Sequence, residues 1–280
     1  MSPIWRCICS GALPGPLNMG LDEALALSCA RGEGGPVLRL YAWDPPTVSV
    51  GYAQPLTGAV DLEACRRLGV GVVRRMTGGR AVLHQHELTY AVAFPEDFFG
   101  PGGVQEDYRR ISRGLLLGLR RLGVRADLRR GASGRGPVSS VCFLATSRFE
   151  LAVGGRKLVG SAQRRLRGAV LQHGSVLVDL EPAVWEAALP ALRRPAFRDW
   201  TDSIVTLAAL LGGRPPPVRV EEALRQGFEE ALGHPLPETL PSRAEAEAAA
   251  ALSQGRYARP EWNKHQQIPA SRLDTPQRVC

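Results

Sequence analysis

Apolar residues first recur at helical spacing over 18–30 (NMGLDEALALSCA), where Leu21, Ala24, Leu25 and Ser28 share a face and Gly32 supplies a stop, so a first helix is predicted there. The period then shortens to two. Segments 37–43 and 47–52 read as strands joined by the Asp44-Pro45-Pro46 turn. A short helix over 61–68 leads into VGVVRR (70–75), whose valines suit a strand. Thr77-Gly78-Gly79-Arg80 punctuates that strand before a second one running through Leu83, and the simplest reading of the glycine pair is a β-hairpin turn. Residues 88–94 alternate as a further strand. Over 105–122, Tyr108, Ile111, Leu115, Leu119 and Leu122 fall on one helical face, with arginines elsewhere around it.

The segment 129–140 (RRGASGRGPVSS) cannot bury apolar area and is expected to be a mobile loop with a solvated basic face. Segments 149–153 and 157–162 flank Gly154-Gly155-Arg156 as a hairpin, and 170–180 reads as a strand interrupted by Gln172-His173-Gly174-Ser175. The first 180 residues therefore mix strands and helices, and the remainder is mostly helical. Ser242-Arg243-Ala244-Glu245 before an alanine run is a capping-box signature. Beyond Tyr257 the chain turns polar and is expected to be a loose tail.

A chain of 280 residues is long enough for a full core, and no apolar run reaches the ~18 residues of a membrane span. The N-terminal stretch lacks the pattern of a secretion signal, so a cytoplasmic protein is expected. The cysteines at 7, 9, 29, 65, 142 and 280 have no repeated metal-ligand spacing, which points to reduced thiols and neither a metal nor a disulfide framework. A net charge of +8 favours an acidic partner, but sign alone does not choose among nucleic acid, a membrane surface and an acidic protein.

Candidate chemistry concentrates in RRMTGGRAVLHQHELTY (74–90), where two glycines permit close backbone approach to a ligand beside Arg75, Arg80 and His84. His84 and His86, two apart, would face one side of a strand, but no third ligand is spaced to complete a metal site. Cys142 sits between Val141 and Phe143, a context that by default gives a small buried hydrophobe. Lys157 changes that reading if the two meet, because an ammonium near a thiol favours the nucleophilic thiolate. Their spacing does not show that they meet.

Three blocks, RRMTGGRAVLHQHELTY, SVCFLATSRFELAVGGRKLVGSAQRR (140–165) and LQHGSVL (171–177), resemble the LipM-type octanoyltransferases of the biotin/lipoate protein ligase superfamily. The resemblance is strong over 18–180 and extends more weakly to RYARPEWN (256–263). It implies an α+β fold of mixed, largely antiparallel sheets packed with helices, like biotin ligases and class II synthetases, with a helical C-terminal portion. The expected layout is a catalytic domain over 1–255, with its α/β core at about 18–181 and helices over 182–255, followed by a polar tail over 256–280. The implied reaction moves octanoyl from octanoyl-acyl carrier protein to a lysine of a lipoyl domain such as glycine cleavage H protein, through a thioester on Cys142 that Lys157 helps to ionise. Arg75, Thr77, Gly78, Gly79, Arg80, His84, Gly160, Ser161, His173 and Gly174 are implied to bind substrate. Backbone amides at Gly78-Gly79 or Gly160-Ser161 are candidates for the oxyanion site, and Val82, Leu83 and Val159 for an apolar slot.

No cofactor is implied. ATP with Mg belongs only to the alternative of a lipoate-protein ligase on the same fold. A lipoyl-domain amidotransferase is a second alternative, and a basic acyl-protein or nucleic-acid-binding scaffold a third, although no nucleic-acid motif is recognised. A monomer with no membrane partner is expected. The arginines of the 105–122 helix are then expected to steer acidic carrier proteins to the site.

Overall fold

The computed structural model describes residues 4–100, 102–129, 140–141 and 150–266. Strand β1 (Arg6–Leu13) precedes helix α1 (Gly15–Ala30), which begins three residues before the predicted start because Pro16 fits the first helical turn. Then come β2 (Val37–Trp43), β3 (Thr47–Val50), α2 (Leu62–Arg67), β4 (Gly71–Arg74), β5 (Val82–His84), β6 (Glu87–Pro95) and α3 (Gly103–Arg121). Next are β7 (Asp127–Arg129), β8 (Glu150–Val153), β9 (Arg156–Leu166) and β10 (Ala169–Leu177). Helices α4 (Pro182–Ala188), α5 (Leu207–Leu211), α6 (Pro217–Leu232), α7 (Arg243–Leu252) and α8 (Pro260–His265) follow in the described residues, with short tight helical turns between α4 and α5.

Seven strands form one sheet in the order β1-β2-β6-β10-β9-β8-β7, and β4-β3-β5 form a second. Among the described strands only β1 with β2 and β3 with β4 run parallel, so the sheets are mixed and largely antiparallel, as expected. Three apolar layers follow from strand alternation. Leu38, Leu40, Leu88, Tyr90, Val92 and Phe94 pack under α3 and α6. On the opposite face of the large sheet, Val37, Tyr41, Trp43, Ala91, Ala93 and Leu171 pack under α1, α7 and α8. The small sheet buries Val48, Val50 and Leu83 against α2, α4 and the turns that follow.

Several local expectations are corrected. Strands β2 and β3 lie in different sheets, so the Asp44-Pro45-Pro46 segment is a corner between layers. The Gly78-Gly79 turn closes no hairpin, since β3 lies between β4 and β5 and pairs with both. Strand β10 runs uninterrupted through Gln172–Ser175, fully paired with β6 and β9, because neighbours on both sides satisfy its backbone. The described part of the predicted loose tail is docked: Tyr257 and Trp262 are buried, and Arg256 ion-pairs with Glu23 of α1. The loop at 130–139 lies outside the described residues. Among the described residues no helix is long and apolar enough to cross a membrane.

The predicted capping box forms at α7, where Ser242 Oγ accepts from the Glu245 amide at 3.2 Å and Glu245 Oε2 accepts from the Ser242 amide at 2.8 Å. Ser242→Ala is expected to lower stability by about 1 kcal/mol, read as a shift in the urea midpoint at unchanged slope.

Candidate active site

A small cavity lies between the α1 face of the large sheet and the small sheet. Tyr41, Trp43, Thr89, His173 and Ser175 come from the large sheet, Ser49, Val82 and His84 from the small one, and Met19 from α1. The surface it exposes is mostly apolar, with Met19, Val82 and Ala162 beside the Tyr41 and Trp43 rings, which suits an alkyl chain. The predicted residues Arg75, His84, Gly160, Ser161, His173 and Gly174 all line it.

Beneath the cavity is a buried polar cluster. Arg39 Nη1 donates to Asp22 Oδ1 at 2.7 Å, Tyr41 donates to Asp22 Oδ2 at 2.8 Å, and His173 Nδ1 lies 3.0 Å from the same oxygen. Burial pushes the Asp22 carboxyl up, but Arg39, His173 and Tyr41 outweigh it and hold the group below the usual carboxylate range. Burial, reinforced by Arg75 and His84, holds His173 below its ordinary value despite Asp22, so the ring is neutral at pH 7. The carboxylate can only accept, which puts the proton on Nδ1; Nε2 therefore accepts from the Thr77 hydroxyl at 2.6 Å. Thr77 lies behind the cavity, fixing this ring.

A second chain runs along the small sheet. Arg75 Nη1 donates to Ser49 Oγ at 3.0 Å, Ser49 Oγ is 2.7 Å from His84 Nε2, and His84 Nδ1 is 2.7 Å from Glu87 Oε1. Trp43 stacks on the His84 ring with centroids 4.0 Å apart. Arg75 also donates to the carbonyls of Gly78 at 2.9 Å and Arg80 at 2.8 Å. It thus shapes the turn from inside, while Gly78, Gly79 and Arg80 serve as the turn's backbone and lie outside the cavity lining. Gly79 has φ +94°, and its carbonyl presses so closely on Gly51 that a Cβ there would sit 2.0 Å from the oxygen.

A β-bulge turns Lys157 to the cavity side of the large sheet, although it is not among the residues that line the cavity. Val159 is opposite Leu151 but Lys157 is opposite Ala152, so β9 carries one extra residue between these pairs. An unbroken alternation would put Lys157 and Gly160 on opposite faces; the extra residue brings Lys157 to the side of Gly160 and Ala162. Leu158 and Val159 both turn into the α3/α6 core instead. Lys157 is buried and ion-paired with buried Glu150. Of the predicted apolar slot, Val82 lines the cavity, whereas Val159 and Leu83 belong to the flanking cores.

Cys142 lies outside the described residues. The residue before it, Val141, is buried and bridged to Ala81, next to cavity-lining Val82, and Ser140 O accepts from the Ala81 amide at 3.1 Å. Ser161 presents its backbone to the cavity, since its hydroxyl is 2.6 Å from Tyr90 OH on the α3/α6 side. Gly174 packs there too: a Cβ would sit 2.3 Å from Gly160 O and 2.8 Å from both Ser161 Oγ and the Tyr90 ring.

His84 and His86 diverge. His86 lies at the surface with Glu181 and accepts from Arg214 at 2.8 Å, and no group of three metal-ligating side chains occurs among the described residues. Helix α3 covers the sheet face opposite the cavity, so its arginines do not line the site.

Sequence reasoning missed Asp22, Arg39, Ser49, Glu87 and Glu150. Asp22 had a signal, since it stands four residues after Asn18 on the helix face that carries Leu21 and Leu25. Arg39 between Leu38 and Leu40 reads as the solvent side of a one-faced strand, whereas helices cover both faces.

Residues 14–229 match the family model described as the lipoyl protein ligase A/B catalytic domain. An octanoyltransferase LipM of Kyrpidia tusciae is 46% identical over 272 residues, covering 92% of this chain and 98% of that protein. The octanoyltransferase LipM of Symbiobacterium thermophilum is 45% identical over 278 residues, covering 94% and 99%. Among solved structures, a putative lipoate protein ligase from T. acidophilum with bound lipoic acid is similar with a TM-score of 0.77 and 25% identity, over 93% of this chain and 99% of that one. The matched blocks contain the cavity-lining strands and the bulged lysine, and the chain is an acyltransferase that belongs to the lipoyl protein ligase A/B catalytic-domain family and, within it, to the LipM-type octanoyltransferases.

Proposed function

We propose that the chain takes octanoyl from octanoyl-acyl carrier protein onto the Cys142 thiol and passes it to a lysine of a lipoyl domain, with glycine cleavage H protein as acceptor, in lipoate biosynthesis. The observation that carries this reading is the bulge that turns Lys157 to the side of the sheet that holds the cavity, whose wall adjoins Val141, the neighbour of Cys142. In the first step the Cys142 sulfur attacks the donor thioester, the carrier thiol leaves, and the cysteine proton ends on that thiol. In the second, the acceptor amine attacks the new thioester, forming an amide and returning the Cys142 thiol. Lys157 favours the thiolate by charge and passes the proton between sulfur atoms. Both steps start from a thioester, so ATP, Mg and a resident cofactor are not required. A reducing cytosol suits the free thiols of Cys7, Cys9, Cys29 and Cys65 and keeps the nucleophile available.

The test is intact mass after mixing the protein with octanoyl-acyl carrier protein in the absence of ATP. One octanoyl adduct is expected, mapped to the Cys142 peptide, removed by hydroxylamine and chased onto a lipoyl domain. No adduct, with transfer of free octanoate or lipoate only once ATP is added, would replace this reading with an ATP-dependent ligase.

A further inference from the structure

The segment 256–263 contributes nothing to the cavity lining, yet its bonds converge on the backbone that frames it. Arg74, fully buried, donates from Nη1 to the carbonyls of Gly51, Tyr52 and Gln54 at 2.7, 2.9 and 2.7 Å. Its Nη2 donates to Asn263 O at 2.8 Å, and its Nε lies within reach of the carbonyls of Trp262 and Asn263 at 3.2 and 3.1 Å. The Arg74 backbone is held as well: its amide donates to Asn263 Oδ1 at 2.7 Å, and its carbonyl accepts from Trp262 Nε1 at 2.9 Å. A single guanidinium thus ties α8 to the 51–54 loop.

That loop reaches the site by three routes. Tyr52 N donates to Thr77 O at 2.8 Å, on the residue that fixes His173. Gly51 lies directly under Gly79 O. Gln54 Nε2 donates to Ser140 O at 2.8 Å, two residues before Cys142. The other end of the segment is anchored on α1, where Arg256 Nη1 and Tyr257 OH donate to Glu23 at 2.6 and 2.7 Å, beside Asp22. Asn263 Nδ2 closes the hook by donating to Tyr257 O at 2.9 Å.

We infer that 256–263 is a positioning hook for the acyl site, with Asn263 and Trp262 holding Arg74, and Arg74 holding the 51–54 loop against the glycine turn and Ser140. Asn263, Arg74 and Gln54 are positioning residues, acting on the reacting groups only through the backbone they hold. The inference rests on the proposed cysteine relay for its kinetic readout, but not for its exchange readout.

The experiment compares the parent, Asn263→Leu, Gln54→Met and the double variant. Hydrogen exchange at the Tyr52 and Ala81 amides is expected to quicken at least about tenfold in Asn263→Leu, while α3 amides such as Leu119 keep the parent rate. The kcat for octanoyl transfer is expected to fall roughly tenfold in each single variant, with KM for octanoyl-acyl carrier protein unchanged, since small displacements of a reacting group lower rate steeply. The double variant should be no slower than the slower single, because both changes cut one line of contacts. Asn263→Asp, which keeps the acceptor for the Arg74 amide, should recover most of the loss. Unchanged exchange at Tyr52 and Ala81 would overturn the inference, as would parental kcat in both folded variants or fully additive losses. Should the parent fail to load Cys142 without ATP, the relay falls and the exchange measurement alone decides the hook.

Discussion

A Lys157→Met variant is expected to load octanoyl onto Cys142 about 10²- to 10⁴-fold more slowly than the parent, the range found for removal of a positioned proton-transfer group. A Cys142→Ala variant is expected not to load at all. The lysine change has a second consequence: Glu150 is buried and ion-paired with Lys157, so removing the ammonium takes a counter-charge from a buried carboxylate. Breaking such a pair from one side costs about 3–5 kcal/mol, whereas replacing both partners by apolar groups is often close to neutral. The double variant Lys157→Met/Glu150→Leu should therefore regain most of the thermal stability and none of the activity. Stopped-flow loading, read beside the melting temperature, separates the two roles. Recovery of loading in the double variant would assign Lys157 to structure alone.

Arg39→Leu is expected to destabilise the fold by about 3–5 kcal/mol, because it leaves the Asp22 carboxylate buried without its main counter-charge. Arg39 and Asp22 are both almost completely buried, and the guanidinium also donates to Asn18 O at 3.0 Å, Asn18 Oδ1 at 2.6 Å and Ser10 Oγ at 3.0 Å. Acid should act on the same cluster. His173 binds a proton less readily in the folded chain than at its ordinary value of 6.5, so acidification below that pH favours the unfolded chain. Asp22, held below 3.8, adds stability that is present above that value and is lost as the pH falls further. Both shifts act in one direction, and the parent should lose stability progressively on acidification from about pH 6.5. His173→Gln is expected to flatten the upper part of that decline, which urea midpoints measured from pH 7.5 downward would show. An unaltered decline would place the acid-sensitive group elsewhere.

The sequence by itself determined where most elements lie, because the helical and alternating apolar periods of α1, α3, β6 and the β8–β9 hairpin are local properties of the chain. It also determined which blocks supply the cavity: cavity-lining Arg75, His84, Gly160, His173 and Gly174 all fall in the three motifs. What it left undetermined was pairing. The glycine turn looks like a hairpin until β3 is found between its flanking strands, and β3 arrives from thirty residues upstream. Strand β1 and the hook at 256–263 carry weak local signals, and their places come from a parallel partner and from Arg74 respectively. Only the tertiary structure decided which way Lys157 faces. One unpaired residue in a ladder reverses every side chain beyond it, and neither the composition nor the period of β9 records that residue; the register against β8 does. The buried Arg39–Asp22 pair is of the same kind: Arg39 reads as solvent-facing in its own strand, and only stacking α1 on a sheet covered on both faces brings it to Asp22 out of water.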